Sequence, residues 1–442
     1  MIRQAITITI AFISILFAQE LKFVGSISSP GGPHKGDRFG TYVAYAGDIN
    51  GDGYGDMLVC ADGKFSQDPN YHGKVYVYLG GKKLNDKPYM VLRGQAPGDR
   101  FGASAAWVGD INDDGIDDFA VGAPNCDSGG TDAGRVYIFY GGKKLDSIPD
   151  IVIDGKKVNG WFGSSIAGGF DINGDNKPDL LVGAQYGGPG VTGEVYVYLG
   201  GMGFDKAALT LRGENTVDGF GARVAMLGDV TGDGIADFAV SAIYYDLETA
   251  KNVGKVYVYK GGSIISKEPA VTYIGKLRDE NLGYVVCSPG DVNNDGYDDI
   301  MVGAPGGAIG SYGAVYIFPG GKTLKSEYIA SYIGESVNSL FGYSASGCGD
   351  INGDKIPDFM VGSPYLDVEM YHTGRVSFFA GGKMKSTEPM FTVDGGSENA
   401  QCGYCVSVIK DFFGKGKDAF AICCAGPGSG LEGKGLVRIY KK

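Results

Sequence analysis

The sequence predicts an all-β fold, a seven-bladed β-propeller with four strands per blade, and three observations predict it. An acidic phrase, Asp48-Ile-Asn-Gly-Asp-Gly-Tyr-Gly-Asp56, recurs from Asp110, Asp171, Asp229, Asp291 and Asp350, with a worn seventh copy from Asp411. Successive starts lie 62, 61, 58, 62, 59 and 61 residues apart, a period in the range of propellers and solenoids. Finally, 77 glycines stand beside 28 tyrosines and 22 phenylalanines in 442 residues that are 43% hydrophobic. That mixture suits short strands and tight turns and excludes both disorder and collagen.

Each repeat keeps one order of features. In the first, Phe39-Gly40 precedes the acidic phrase and Met57–Ala61 follows it; a variable loop then leads to Lys74–Gly81 and on to Tyr89–Gly94. The apolar runs are five to seven residues long, rich in Val, Ile, Tyr and Phe, and bounded by turn formers, which makes four strands per repeat. The third run ends in Gly-Gly at Gly81, Gly142, Gly201, Gly262, Gly321 and Gly382, read as the start of a hairpin turn. Seven such units bury both faces by closing around an axis. The seventh repeat stops at its third strand, Leu436–Lys442, while Leu21–Gly25 resembles a fourth strand with no repeat before it. These two are expected to pair, so that the N-terminal strand completes blade seven. A linear solenoid would leave both edges open.

The acidic phrases have the donor spacing of calcium loops. Side-chain oxygens fall at positions 1, 3, 5 and 9, and position 7 offers a backbone carbonyl. The candidate ligands are Asp48, Asn50, Asp52, Tyr54 and Asp56; Asp110, Asn112, Asp114, Ile116 and Asp118; Asp171, Asn173, Asp175, Lys177 and Asp179. They continue as Asp229, Thr231, Asp233, Ile235 and Asp237; Asp291, Asn293, Asp295, Tyr297 and Asp299; Asp350, Asn352, Asp354, Ile356 and Asp358. Six or more alternating oxygens favour calcium over magnesium or zinc. An EF-hand would need a glutamate at position 12, where all six copies have valine. Position 6 favours glycine, so Asn176 and especially Lys355 depart, and loop six is the least suited. In the seventh copy Phe413 and Lys415 replace donors; no ion is expected, and the Lys415 ammonium is read as a stand-in. The charge agrees: removing Arg3 with a leader takes −12 to −13, and six Ca²⁺ add 12.

Phe-Gly before the loop and Gly-Ala-Pro after it, as in Phe101-Gly102 with Gly122–Pro124 and Gly303–Pro305, resemble the FG-GAP repeats of the integrin α-subunit N-terminal β-propeller. The resemblance covers nearly all of residues 19–442. It implies calcium loops on a lower face and ligand recognition on an upper one. Integrin α chains usually carry calcium only in later blades, whereas here six blades have the loop, and an integrin heterodimer is not implied. The propeller of glycosylphosphatidylinositol phospholipase D is similar in form, without a counterpart here to its catalytic domain.

The upper-face loops, 62–73, 125–134, 185–193, 243–254, 306–313 and 365–374, differ most between repeats and carry Tyr71, Tyr186, Tyr244, Tyr245, Tyr312, Tyr365 and Tyr371. Tyrosine is what binding surfaces favour, so these are candidate ligand contacts; the other reading is that the rings pack along their own loops. Loops that differ in length and content favour one composite protein site, in adhesion or surface assembly, over a carbohydrate-binding propeller with repeated pockets. A polysaccharide hydrolase or lyase is the third reading, with Asp246 and Glu248, and Asp367 and Glu369, as its candidate carboxylate pairs, although loop pairs two apart usually lie in solvent. Three histidines, a chance-level Gly428–Gly433 phrase and no nucleophile elbow argue against an enzyme. The acidic balance argues against nucleic acid. Residues 1–18 read as a secretory signal peptide rather than an anchor, the apolar run from Ala5 to Phe17 being too short to span a bilayer. A secreted, extracellular or periplasmic protein without N-glycosylation acceptors is expected. Four of eight cysteines, Cys402, Cys405, Cys423 and Cys424, crowd into the last repeat, where a disulfide and free thiols are both open.

Overall fold

The computed structural model describes residues 21–29, 38–64, 66, 68–308, 310–382, 387–427 and 435–442. The expected leader, His34 and the 428–433 phrase lie outside these residues. The chain forms seven four-stranded antiparallel sheets. Blade one comprises Tyr42–Gly47, Asp56–Ala61, Lys74–Tyr78 and Met90–Arg93, from the axis outward, and blades two to six repeat that order. The inner strands touch in sequence, and that of blade seven, Cys402–Ile409, meets that of blade one, so the ring is closed.

Closure takes the expected form. Lys22–Ser28 is the outermost strand of blade seven and pairs antiparallel with Leu436–Lys441, Ile27 opposite Val437 and Ser28 opposite Leu436. Ile27 is buried with Phe39, Tyr76, Val437 and Ile439, so the N-terminal strand also joins blade seven to blade one.

The second strand of every blade is buried at all six positions, as in Asp118–Ala123 and Asp299–Ala304. A strand covered on both faces by neighbouring blades takes apolar residues continuously rather than alternately, which explains runs such as Asp-Phe-Ala-Val-Gly-Ala. The phenylalanine of each Phe-Gly pair is core: Phe101 meets Tyr137 edge-on at 5.4 Å and Phe220 meets Tyr257 at 5.1 Å. The glycine after it has a positive φ, +88° at Gly102, where a Cβ would also stand 3.0 Å from Val75. The Gly of Gly-Ala-Pro is set by blade contact instead, since a Cβ at Gly122 would lie 2.2 Å from the Gly163 carbonyl of blade three.

The third and fourth strands pair antiparallel as the expected hairpin, but the Gly-Gly is a docking point rather than the turn itself, since seven or eight residues separate it from the fourth strand. The first glycine N–H bonds the acidic loop of its own blade, and the second reaches the preceding blade, as in Gly142 N to Ile49 O at 2.8 Å. Of the four crowded cysteines, Cys402 and Cys424 form a disulfide across paired strands. Cys405 and Cys423, the next facing pair, are buried thiols.

Candidate metal loops and the opposite face

The six acidic loops leave the ends of the inner strands, all at one end of the ring. Each follows a β-bulge whose glycine has positive φ, at Gly47, Gly109, Gly169, Gly228, Gly290 and Gly349. A bulge re-aims the chain, here turning it into the loop. Blade seven has no bulge at this place.

Within a loop the backbone curls around the first carboxylate. Asp48 accepts the N–H of Asp52 at 3.0 Å and of Gly53 at 2.8 Å, and Asp52 accepts that of Tyr54 at 3.0 Å. The same bonds recur in loop two at Asp110 and Asp114, and in loop six at Asp350 and Asp354. Loop six therefore closes like the rest: Lys355 takes φ +73°, and Asn176 in loop three φ +64°.

The position-9 aspartates, Asp56, Asp118, Asp179, Asp237, Asp299 and Asp358, are fully buried. Each pins its loop to the end of its blade's third strand. Asp56 accepts Ile49 N at 2.9 Å and Gly80 N at 2.8 Å; Asp179 accepts Ile172 N and Gly200 N, both at 2.8 Å. Burial pushes Asp56, Asp118 and Asp299 up to about 7 and Asp179 to about 6, with loop carboxylates such as Asp52 and Asp48 pushing the same way. A buried carboxylate whose charged neighbours are other carboxylates lacks its counter-charge.

The side chains fit a hard cation. Among the described residues no three His, Cys, Asp or Glu side chains already form a metal cage. However, the position-3 oxygens Thr231 Oγ1 and Asn293 Oδ1 are buried without any hydrogen-bond partner. Each position-9 carboxylate oxygen that accepts one N–H also keeps a lone pair. The candidate ligands therefore supply oxygen only, which suits calcium. Loop four differs: Lys260 pairs with Asp233 at 2.9 Å. In the seventh copy Asp418 takes the pinning role, accepting Asp411 N at 2.8 Å, and the Lys410 ammonium offsets part of the upward push of burial on its carboxyl.

Position 7 does more than offer a carbonyl. In four blades its side chain lies against the glycine of the preceding loop, Ile116 on Gly51, Ile235 on Gly174, Tyr297 on Gly232 and Tyr54 on Gly414, so those loops interlock. The sequence signal was present there, a large residue at position 7 beside glycine at position 4 of the previous copy; loops two and five have Asp113 and Asn294 at that place.

The candidate ligand tyrosines are at the other end, on the loops between second and third strands. They do not form one cluster. Tyr371 is 55% exposed and stacks on His372 at 3.7 Å, with Tyr365 edge-on to the same ring at 4.9 Å. Tyr244 is 38% exposed, Tyr245 lies under the Lys255 ammonium, and Tyr186 packs edge-on against Trp161. Tyr312 is half-buried, its carbonyl accepting the Ser339 hydroxyl. Tyr71 is a correction: it is buried, its hydroxyl bonded to the Ala61 carbonyl at 3.1 Å, so it packs along its own loop rather than meeting a ligand. Of the carboxylate pairs, Asp246 is bound to Lys251 at 2.7 Å and Asp367 accepts His372 N, both as loop braces.

The FG-GAP repeat family matches residues 101–139, 162–198, 220–259, 283–318 and 341–379, five blades from the Phe-Gly position to the end of the third strand. Integrin alpha-5 of Xenopus laevis is 35% identical over 193 residues, 40% of this chain and 17% of its own length. Integrin alpha-8 of Mus musculus is 35% identical over 182 residues, 39% and 17% of the two chains. Phosphatidylinositol-glycan-specific phospholipase D of Homo sapiens is 34% identical over 196 residues, 39% and 23%. The matched stretch thus spans less than a quarter of each of these relatives. In fold, the chain is similar to one from the crystal structure of BBS1N in complex with ARL6DN, with a TM-score of 0.51, 11% identity, and 95% and 96% of the two chains covered. With five blades matching the repeat and seven built on one plan, the chain is an FG-GAP repeat protein, a β-propeller resembling that of the integrin α subunits.

Proposed function

We propose that this is an exported, calcium-stabilised propeller that binds a protein partner at the cell surface through its upper-face loops. The observation that carries the reading is the contrast between the two ends of the ring. At one end, six loops share their hydrogen bonds and oxygen donors; at the other, the loops differ and expose Tyr244 and Tyr371. Calcium would be held by positions 1, 3, 5 and 9 and the position-7 carbonyl. It would supply the counter-charge the buried aspartates lack and tie adjacent blades. Binding rather than catalysis is the activity, and the likeness to integrin alpha chains supports a protein over a glycan as partner.

Two measurements test this. Each occupied site stabilises the fold by about 2.7 kcal/mol at a hundredfold excess of calcium over Kd, so chelation should lower the melting temperature by many degrees. A melt unchanged by chelator, with no calcium in the native mass spectrum, would remove the metal. The calcium-loaded protein, immobilised and exposed to envelope and extracellular extract, should retain a specific protein that is lost when the Tyr244-Tyr245 loop is replaced. Retention of glycans alone would favour the carbohydrate-binding alternative.

A further inference from the structure

The seven inner strands enclose the axis, and their upper ends carry a row of aromatic side chains that the loop reading does not use. The residue after the Phe-Gly position is tyrosine in blades five, six and seven: Tyr284, Tyr343 and Tyr404. Tyr284 and Tyr343 have ring centroids 4.7 Å apart, and Tyr343 and Tyr404 5.0 Å. The row begins with a cation, since the Arg223 guanidinium of blade four lies over the Tyr284 ring at 5.1 Å. Tyr42, at the upper end of the inner strand of blade one, is 38% exposed while burial raises its hydroxyl.

Arg223 is fixed in place but not neutralised. Its Nε donates to the Tyr284 carbonyl at 3.1 Å and its Nη1 to the Ala222 carbonyl at 2.8 Å. Among the described residues no carboxylate lies within ion-pair distance of it, in a chain whose net charge is −12. One Nη1 hydrogen and both Nη2 hydrogens remain, and the end-on pair of these matches the two oxygens of a carboxylate. The charge is felt across the axis, where it acts on Tyr42 of blade one and Cys405 of blade seven. More cations stand on the same rim. Arg100 pairs with Asp62 at 2.7 Å, and Lys64, two residues on, is lowered by burial and then by Arg100, Arg223 and Arg38 together. These cations put positive charge at the upper end of an acidic molecule, which attracts an anion.

We propose that the upper mouth of the axis is a carboxylate-binding site, in which Arg223 clamps an Asp or Glu side chain, or a C-terminal carboxylate, of a partner's extended segment. The Tyr343 and Tyr42 hydroxyls are further donors, and the ring row is the wall against which the segment lies. Planar bidentate recognition by a pre-positioned guanidinium favours carboxylate, and a stacked aromatic wall suits peptide side chains. The inference rests on the upper face being the binding face. The two are separable, because capture through the Tyr244-Tyr245 loop depends on a retained protein and not on a carboxylate.

The test uses the calcium-loaded full chain and a fluorescein-labelled tetraglutamate peptide, followed by fluorescence anisotropy. Binding should weaken as salt rises, weaken at least tenfold in Arg223→Gln, and weaken several-fold in Arg223→Lys, which keeps the charge but loses the fork. Tyr343→Phe, which keeps the stack and removes one hydroxyl, should cost several-fold and serves if Arg223→Gln does not fold. No binding by the native protein, equal binding by Arg223→Gln, or tighter binding of a sulfated hexasaccharide than of tetraglutamate would overturn the proposal. In each of those cases a protein still captured through the Tyr244-Tyr245 loop would leave the wider reading standing.

Discussion

Ring closure depends on one short strand, and Ile27→Ala measures how much. Ile27 is 1% exposed and sits between blade seven and blade one, against Val437 and Ile439 on one side and Phe39 and Tyr76 on the other. Truncating a fully buried isoleucine costs about 2–5 kcal/mol, the upper part of the range where the site cannot collapse. Here the cavity would lie between sheets that the rest of the ring holds apart. Phe23 is the internal control: it belongs to the same strand but is 52% exposed, touching Tyr440 edge-on at 5.4 Å, so Phe23→Ala should cost about 1 kcal/mol or less. Unfolding entropy of about 2.1 cal/mol/K per residue comes to about 0.9 kcal/mol/K for a chain of this size, so Ile27→Ala should melt about 2–6 °C lower and Phe23→Ala within about 1 °C of the native protein. Calorimetry at fixed calcium reads both. If Phe23→Ala is as damaging as Ile27→Ala, or if deleting residues 19–28 leaves the melt unchanged, the N-terminal strand does not close the ring.

Three further outcomes are expected. Gly183→Ala should be worse than Gly53→Ala: a Cβ at Gly183 meets the Gly221 carbonyl at 2.1 Å and costs about 3 kcal/mol, while Gly53, at φ +85° with open space around it, costs about 1 kcal/mol; urea midpoints compare them. Cys402→Ser should lower stability by about 3 kcal/mol, given the sequence separation of 22 between the bridged cysteines, and reductant should then leave its melt unchanged. Native mass spectrometry should find no more than six calcium ions, one fewer in Asp52→Ala, and the same number in Asp411→Ala as in the native protein; a loss in the last variant would mean the seventh loop binds after all.

The blades were legible because the acidic phrase is a backbone instruction repeated in register. Its aspartates and glycines specify hydrogen bonds within nine residues, so no distant contact had to be known. Closure was legible for a related reason, a strand missing at one end and spare at the other. What was not legible depends on neighbouring blades. The Gly-Gly after each third strand reads as a turn in isolation and becomes a dock only beside the preceding loop. Tyr71 reads as an exposed loop aromatic until the Ala61 carbonyl is placed next to its hydroxyl. Before the Phe-Gly position every blade places a left-handed residue, Arg38, Arg100, Trp161, Gly219, Asn281, Leu340 and Gln401, and side chains so varied leave no pattern to read.

The same distinction explains how one plan carries two dissimilar ends. At the lower end, each position-9 aspartate fixes its own loop, the second glycine of the dock reaches the loop before it in blades one, two, four, five and six, and the position-7 side chain covers that loop's glycine in blades one, two, four and five. These contacts tie neighbouring loops, so a change in one propagates to the next. The upper loops carry braces of their own: Asp127 accepts Asp132 N, Asp246 accepts Asn252 N, and Asp367 accepts His372 N, each within one loop. Their backbone also docks the entry to the next blade, Trp161 N on Asp132 O, Asn281 N on Asn252 O and Gln401 N on His372 O. Length and side chains vary between those fixed bonds, which leaves the upper end free to acquire a partner while the lower end repeats. Arg223 and Tyr404 stand on inner strands, and Tyr284 and Tyr343 immediately before theirs, so a carboxylate clamp built there would be held by the rigid part of the molecule while the loops around it vary.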